Sequence, residues 1–158
     1  LLFTRDYPDL VSGLIITGSS GLYEKSMIGD GYPKRGNYEY IKTKTEEVFY
    51  DPKIATKEIV DEVFESVNDR EKLIRTLSLA KSAIRHNMAD DLPKMITKTL
   101  IIWGKDDFVT PPNVAEDFHS LLPNSDLVWI DKCGHAPMME HPVHFNKLME
   151  KWLLDNNL

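Results

Sequence analysis

Three short runs of apolar and often β-branched residues recur along the chain, at 11–18, 99–104 and 126–131. Each run ends in small or polar residues, and none shows the sustained alternation of apolar and polar positions that marks a half-exposed strand. A continuous apolar run of this length is typical of a strand that is covered on both faces of a parallel sheet. The pattern therefore predicts three buried parallel strands.

Helical spacing of apolar positions fills most of the sequence between the first two runs. Residues 38–49, 56–67 and 69–87 each carry an apolar stripe, and no strand pattern interrupts them. Thr56 is a suitable N-cap for the second of these helices because its hydroxyl can accept a backbone N–H of the first turn. Stripes of this kind are typical of side chains that pack in a core and do not indicate a cofactor site.

Strands and helices alternate in the rest of the chain, with helices predicted at 1–5, 115–122 and 142–154. Alternation of this kind is characteristic of a parallel α/β sheet. The sequence therefore predicts an α/β fold in which residues 1–21 and 94–158 form part of a sheet layer. Residues 22–93 are predicted to form an all-helical insertion.

Composition narrows the classes of function. The net charge of −6 and the pI near 5.3 come with scattered lysines and arginines, which argues against a nucleic-acid partner because phosphate binding needs a concentrated basic surface. Cys133 is the single cysteine, so neither a disulfide framework nor a cysteine-based zinc site is expected. No apolar run reaches the roughly 18 residues of a membrane span, and we expect a cytoplasmic protein. The chain begins with Leu1 rather than methionine, which leaves open a targeting segment before it.

Two polar loops follow the second and third predicted strands, at 104–111 and 131–137. The first contains the carboxylates of Asp106 and Asp107, and the second contains the imidazole of His135. Reacting groups of open α/β sheets gather beyond the carboxyl ends of the strands, so one of these carboxylates is expected to meet His135 there. Such a pair can serve as the acid and the general base of a catalytic triad.

The motifs WGKDDFVTP at 103–111, CGH at 133–135 and EHP at 140–142 resemble the C-terminal signature of the α/β-hydrolase family. The similarity is greatest to capped bacterial meta-cleavage product (carbon–carbon bond) hydrolases and related esterases, and it covers nearly the whole chain. It implies that the chain is the C-terminal part of such an enzyme, with a helical cap at 22–93. The N-terminal strands would then lie before Leu1.

The resemblance also implies roles for individual residues. Asp107 would be the triad acid, with Asp106 as the competing candidate, and His135 would be the general base. No Gly-x-Ser-x-Gly nucleophile elbow occurs in the sequence, so the nucleophile and the oxyanion-hole loop are expected upstream of Leu1. The segment alone is therefore expected to be inactive, and the chemistry implies no metal or organic cofactor.

Three functions are open at this stage because the nucleophile is not in the sequence. A serine is favoured and would give hydrolysis of a carboxylic ester or of a similar acyl or carbon–carbon bond. An aspartate would give a haloalkane dehalogenase or an epoxide hydrolase. The third alternative is a non-catalytic binding protein on the same fold. The expected partners are a small-molecule substrate and, at the exposed edge of a partial sheet, the missing N-terminal half or a second copy.

Two departures from the family pattern bear on the substrate. Val63 occupies the position of a cap-helix arginine that binds the substrate carboxylate, and Ala136 stands where an aromatic residue follows the histidine. Both favour an ester over a dienoate. Cys133 is interpreted as a small buried residue, and Ser19 and Ser20 as turn or pocket-lining residues. The histidines without a paired carboxylate loop are interpreted as structural: His86, His119, His141 and His144.

Overall fold

A computed structural model describes residues 1–23 and 34–158. Three glycines and a proline predict a loop at 29–36, which lies outside the described residues except for 34–36. The described strands form one sheet with the order β1-β2-β3, and both pairings are parallel. The strands are β1 (Leu14–Ile16), β2 (Thr99–Gly104) and β3 (Ser125–Ile130). The predicted α/β fold with three parallel strands is confirmed.

The middle strand is the most deeply buried element, since all six residues of β2 are buried. It pairs with both neighbours, so that Ile101 lies between Ile16 of β1 and Leu127 of β3. The first strand is shorter than the predicted run at 11–18. Gly18 has a φ of +52°, a left-handed conformation that turns the chain out of the strand direction.

The helices lie close to the predicted positions, with one addition. Thr56 caps α3 by accepting the N–H of Ile59, as predicted, and Asp69 caps α4 by accepting the N–H of Lys72. The four-residue helix α6 was not predicted because it is too short to show a period. The bounds are α1 (Leu2–Asp6), α2 (Tyr38–Glu46), α3 (Lys57–Asn68), α4 (Arg70–Arg85), α5 (Pro112–Leu121), α6 (Pro137–Glu140) and α7 (Pro142–Asp155).

Alternate side chains of β2 enter two apolar clusters, because successive residues of a strand point to opposite faces. Trp103 belongs to a cluster that includes Phe118 of α5. Ile102 belongs to a second cluster that includes Phe145 and Trp152 of α7. Burial of each such side chain stabilises the fold by about 1.5–3 kcal/mol. Because both clusters contain side chains of β2, this stabilisation depends on the sheet layer.

The helices between β1 and β2 are less deeply packed than the sheet layer. In α3 only Val60 is buried, and α4 has no buried residue. A hydrogen bond from Tyr38 Oη to Asp61 Oδ1, at 2.6 Å, joins α2 to α3. Within residues 1–23 and 34–158, no helix combines the length and the apolar composition needed to cross a bilayer.

Candidate active site

Two loops lie side by side at the carboxyl ends of β2 and β3. We call residues 104–111 the acid loop and residues 131–137 the histidine loop. Backbone hydrogen bonds join them, among them one from Asp106 N–H to Cys133 O at 2.9 Å. Gly104 lies so close to the histidine loop that an added Cβ would be 2.1 Å from Gly134 O. Only glycine fits at this position.

Asp107 and His135 meet between the two loops. The imidazole Nδ1 of His135 is 2.9 Å from Oδ2 of Asp107, which is hydrogen-bond distance. The carboxylate side chain is 1% exposed, whereas the imidazole side chain is 28% exposed and can be reached from outside. Of the two candidate acids, the structure brings Asp107 to the histidine, while Asp106 joins the loops through its backbone N–H.

The carboxylate of Asp107 accepts further hydrogen bonds from its own loop. The backbone N–H groups of Val109 and Thr110 donate to Oδ1 at 2.8 and 2.9 Å. The hydroxyl of Thr110 donates to Oδ2 at 3.0 Å and lies 3.1 Å from Nδ1 of His135. These hydrogen bonds hold the buried carboxylate in a fixed orientation toward His135.

The sequence did not predict that Thr110 contacts Asp107, although Thr110 lies three residues after it, a spacing typical of such a contact. An aspartate whose side chain accepts the N–H two and three residues later forms a local turn, and Asp107-x-Val109-Thr110 has that spacing. The indole N–H of Trp103 then donates to Thr110 O at 2.9 Å, which closes the loop against the core.

The geometry defines what the pair can do chemically. With Nδ1–H donating to Asp107, the lone pair of the neutral imidazole is on Nε2. That nitrogen can take a proton from a nucleophile, and the carboxylate stabilises the imidazolium that results. The arrangement is therefore suited to a general base with an orienting acid.

The backbone of the histidine loop is fixed from outside the loop. His135 N–H donates to Val48 O at 2.9 Å. Gly134 N–H donates to Oε1 of Glu140 at 2.8 Å, and Tyr50 N–H donates to Oε2 of the same carboxylate at 2.8 Å. The contribution of Glu140 was also missed, because no local pattern links it to a residue 90 positions earlier.

Cys133 lies in the histidine loop and is fully buried, as predicted. Burial, reinforced by the charge and the hydrogen bond of Glu140, raises the pKa of the Cys133 thiol to about 12. The thiol therefore stays protonated near neutral pH. This agrees with its interpretation as a small buried residue, since the thiolate is the reactive form.

Most of the histidines interpreted as structural make contacts within the chain. The Nδ1 atom of His86 lies 2.7 Å from Ser82 O, and that of His119 lies 2.9 Å from Ser125 Oγ. The Nε2 atom of His141 lies 2.9 Å from Lys132 O. In the described parts of the chain, no group of three or more His, Cys, Asp or Glu side chains could hold a metal ion.

An open cavity of about 380 Å³ lies beyond the carboxyl end of β1, and its lining includes neither Asp107 nor His135. It is lined in part by Ser19 and Ser20, as predicted for these serines, and by Leu79 and His86 from the region of α4. Gly18, the preceding residue, is so close to the imidazole that an added Cβ would be 2.7 Å from Cε1 of His135. The residue that contacts the imidazole thus directly precedes, in sequence, a residue that lines the cavity.

Comparison with known proteins gives the class that this fold and site define. The sequence model of the alpha/beta hydrolase fold matches residues 57–142, which is more than half of the chain. The chain therefore belongs to the α/β-hydrolase family.

Two individual proteins show how similar the chain is to members of this family. The chain is 52% identical to MGS-MChE2, an alpha/beta hydrolase enzyme from the metagenome of sediments from the lagoon of Mar Chica, Morocco. The two structures align with a TM-score of 0.72, over 99% of this chain and 56% of that one. It is 28% identical to a 2-hydroxy-6-oxononadienedioate/2-hydroxy-6-oxononatrienedioate hydrolase of Pseudomonas sp, over 94% of this chain and 56% of that protein.

A meta-cleavage product hydrolase from Pseudomonas fluorescens IP01 shares the fold. Its TM-score is 0.81 at 18% identity, over 98% of this chain and 60% of that one. The chain spans little more than half the length of the curated hydrolase of Pseudomonas sp.

Proposed function

We propose that the protein is a hydrolase that cleaves a carboxylic ester, or a similar acyl or carbon–carbon bond, through a nucleophile-His-Asp triad. Asp107 is the acid and His135 the general base, and the nucleophile lies outside these 158 residues. The observation that carries the proposal is the hydrogen bond between Asp107 and His135 beyond the carboxyl ends of β2 and β3, at 2.9 Å.

The proposed reaction follows from the free Nε2 lone pair of His135. Nε2 takes the proton of a serine hydroxyl while the serine oxygen attacks the substrate carbonyl carbon. The imidazolium then gives that proton to the leaving group as the scissile bond breaks, which leaves an acyl-enzyme. Water repeats the sequence, with Nε2 again as the base, and releases the acid.

The proposed substrate is a small molecule that occupies the cavity lined by Ser19 and Ser20, which follow the Gly18 contact with His135. Its lining combines apolar side chains such as Leu79 with hydroxyls such as Ser19, which suits a ligand with one polar group. The curated relative hydrolyses a dienedioate or trienedioate. This chain lacks two residues expected for that substrate class, because Val63 replaces the arginine that would bind the substrate carboxylate and Ala136 replaces the aromatic residue after the histidine. Among the bonds named in the proposal, we therefore favour the ester.

We further propose that residues 22–93 act as a cap over the cavity and exclude water from the reaction. The outer edge of β1 is proposed to pair with the N-terminal half of the fold. That half would supply the serine and the oxyanion hole. Among the described strands, β1 pairs only with β2, so its other edge is available for this pairing.

Hydrolysis of 4-nitrophenyl acetate by the complete natural protein tests the assignment. Asp107→Asn is expected to lower kcat roughly ten-thousandfold, because the amide no longer holds the imidazole in the required tautomer. His135→Ala is expected to lower it at least as far. The matched control is Asp106→Asn, which keeps the backbone N–H that donates to Cys133 and should retain most of the activity.

The same assay tests the role of His135 and the position of the nucleophile. The segment 1–158 alone is expected to show no turnover above background, because it lacks the nucleophile. Turnover by the complete protein that survives His135→Ala would overturn the proposed triad. Turnover by 1–158 alone that His135→Ala abolishes would place the nucleophile within this sequence and refute its assignment upstream.

A further inference from the structure

Glu140 belongs to the family signature, yet the proposed triad leaves it without a role. It ends α6, and its carboxylate accepts two backbone hydrogen bonds, one from the histidine loop six residues earlier and one from a residue 90 positions earlier. Gly134 N–H donates to Oε1 and Tyr50 N–H donates to Oε2, each at 2.8 Å. One side chain therefore joins the histidine loop to the helical insertion between β1 and β2.

A direct backbone contact joins the same two regions. His135 N–H donates to Val48 O at 2.9 Å. Gly134 packs so closely against residues 48–50 that an added Cβ would lie 2.7 Å from Val48 O and 2.9 Å from Tyr50 N. The N–H groups of Gly134 and His135 are thus both fixed by residues 48–50, one directly and the other through Glu140.

The acid does not depend on this contact. Among the described residues, the donors to the Asp107 carboxylate other than His135 are Val109 and Thr110 in the acid loop itself. A shift of residues 48–50 would therefore move the base while the acid stayed in place. The hydrogen bond between them, at 2.9 Å, would then lengthen or lose its alignment.

We infer that Glu140 is a positioning residue, which sets the imidazole of His135 by fastening residues 48–50 against the histidine loop. The base is thereby in place only while the helical insertion is seated on the sheet layer. The inference rests on the proposed triad role of His135. Glu140 acts through the backbone and takes no part in proton transfer.

Glu140→Gln tests the inference in the complete natural protein. Glutamine keeps the volume but replaces one acceptor oxygen with an NH₂ group, which cannot accept an N–H. We expect kcat for 4-nitrophenyl acetate to fall roughly ten- to a hundredfold with little change in KM, since a small displacement of a catalytic group costs that much. Glu140→Asp keeps two acceptor oxygens and should recover part of the loss. Glu150→Gln, at an exposed position on α7, is the matched control and should retain the parent kcat.

Amide hydrogen exchange separates positioning from a purely local contact. Glu140→Gln directly weakens the hydrogen bond of Gly134 or of Tyr50, but His135 N–H keeps its own acceptor, Val48 O. We expect protection of the His135 amide to fall by about tenfold as well, because Val48 moves. Loss of protection confined to Gly134 and Tyr50, with kcat unchanged, would overturn the inference.

Two further comparisons keep the result unambiguous. Leu122 is buried just before β3, at the end of the sheet opposite the two loops, and Leu122→Val should lower stability there. This variant should keep the parent kcat and the parent protection of the His135 amide. Losses as large as those of Glu140→Gln would refute the inference. If Glu140→Gln fails to fold, Glu140→Asp carries the exchange test, with a smaller expected loss of protection. Amide exchange can be measured whether or not the protein is active, so the two ideas can fail separately.

Activity that survives His135→Ala refutes the proposed function. Unchanged exchange of the His135 amide in Glu140→Gln refutes only the inference.

Discussion

The acid loop and the histidine loop are hydrogen-bonded to each other, but their other hydrogen bonds come from different parts of the chain. The carboxylate of Asp107 receives its hydrogen bonds from Val109 and Thr110, two and three residues later, in addition to the one from His135. In contrast, the histidine loop is bonded to Val48 in the helical insertion and to Glu140 in α6.

This difference determines how each loop responds to change. The position of the acid depends on residues close to it in sequence, so it should survive disturbances elsewhere in the molecule. The position of the base depends on tertiary contacts, which form only when the helical insertion packs on the sheet layer. Substitutions in the two loops should therefore separate local effects from long-range effects.

The largest expected effect comes from Gly104→Ala, which forces the two loops apart. The added Cβ would lie 2.1 Å from Gly134 O and 2.3 Å from Cys133 O, and backbone atoms cannot easily move away. We expect the free energy of unfolding to fall by about 3 kcal/mol, measured by urea denaturation. At Gly36 an added Cβ meets no described residue within 4 Å, so Gly36→Ala is the control and should change the free energy of unfolding little. Equal stability of the two variants would contradict the described loop contact.

Gly134→Ala should disturb the histidine loop alone. Its Cβ would press on Val48 O and Tyr50 N, at 2.7 and 2.9 Å, and leave the acid loop intact. We expect a loss of about 2 kcal/mol in the free energy of unfolding, together with a lower kcat in the complete protein. Amide exchange at Val109 and Thr110 should stay as in the parent. Faster exchange at those two residues would show that the loops are not independent.

Thr110→Val is the matching change in the acid loop and should have a smaller effect. Valine keeps the shape of the side chain but removes the hydroxyl that donates to Asp107 Oδ2 at 3.0 Å. We expect kcat/KM to fall by an amount that corresponds to about 1 kcal/mol, the usual contribution of one hydrogen bond. Thr110→Ser keeps the hydroxyl and should be close to the parent; a serine variant as impaired as the valine variant would exclude the hydroxyl as the cause.

The smallest expected effect is that of the exposed ion pair between the loops. Lys105 Nζ lies 2.6 Å from Asp131 Oδ1, and this hydrogen bond lowers the pKa of the Asp131 carboxyl. A lowered pKa contributes stability above the ordinary value of 3.8, and that stability is lost as the pH falls through the folded-state pKa. Because both side chains are exposed, Asp131→Asn should leave the urea midpoint at pH 7 almost unchanged. A clear drop at pH 7 that persists in high salt would disprove this.

The sequence predicted the sheet layer well because its signals are local. The run at 99–104 matches β2 residue for residue, since every position is apolar or small and all six are buried. The cap at Thr56 was also found, because it depends on a residue three positions away. The first strand was overestimated, because a left-handed glycine at 18 cannot be distinguished by sequence from an extended one.

The candidate site was predicted in part for the same reason. Asp107 and His135 follow buried strands, and the carboxyl ends of parallel strands converge, so their meeting followed from topology. Glu140 could not be found in this way, because its partner Tyr50 is 90 residues distant and contributes only a backbone N–H. The catalytic roles of Asp107 and His135 stay predictions until the activity of variants is measured.

The contact between residues 48–50 and the histidine loop uses the main chain of that segment, through Val48 O and Tyr50 N. Main-chain atoms are the same whatever amino acid occupies these positions, apart from proline at 50, which would remove the donor. The contact itself therefore tolerates other side chains at positions 48 and 50 without dislodging the imidazole, whereas Phe49 is buried and also packs through its ring. Recombination that exchanges this helical region between relatives should succeed where the acceptor retains its glutamate.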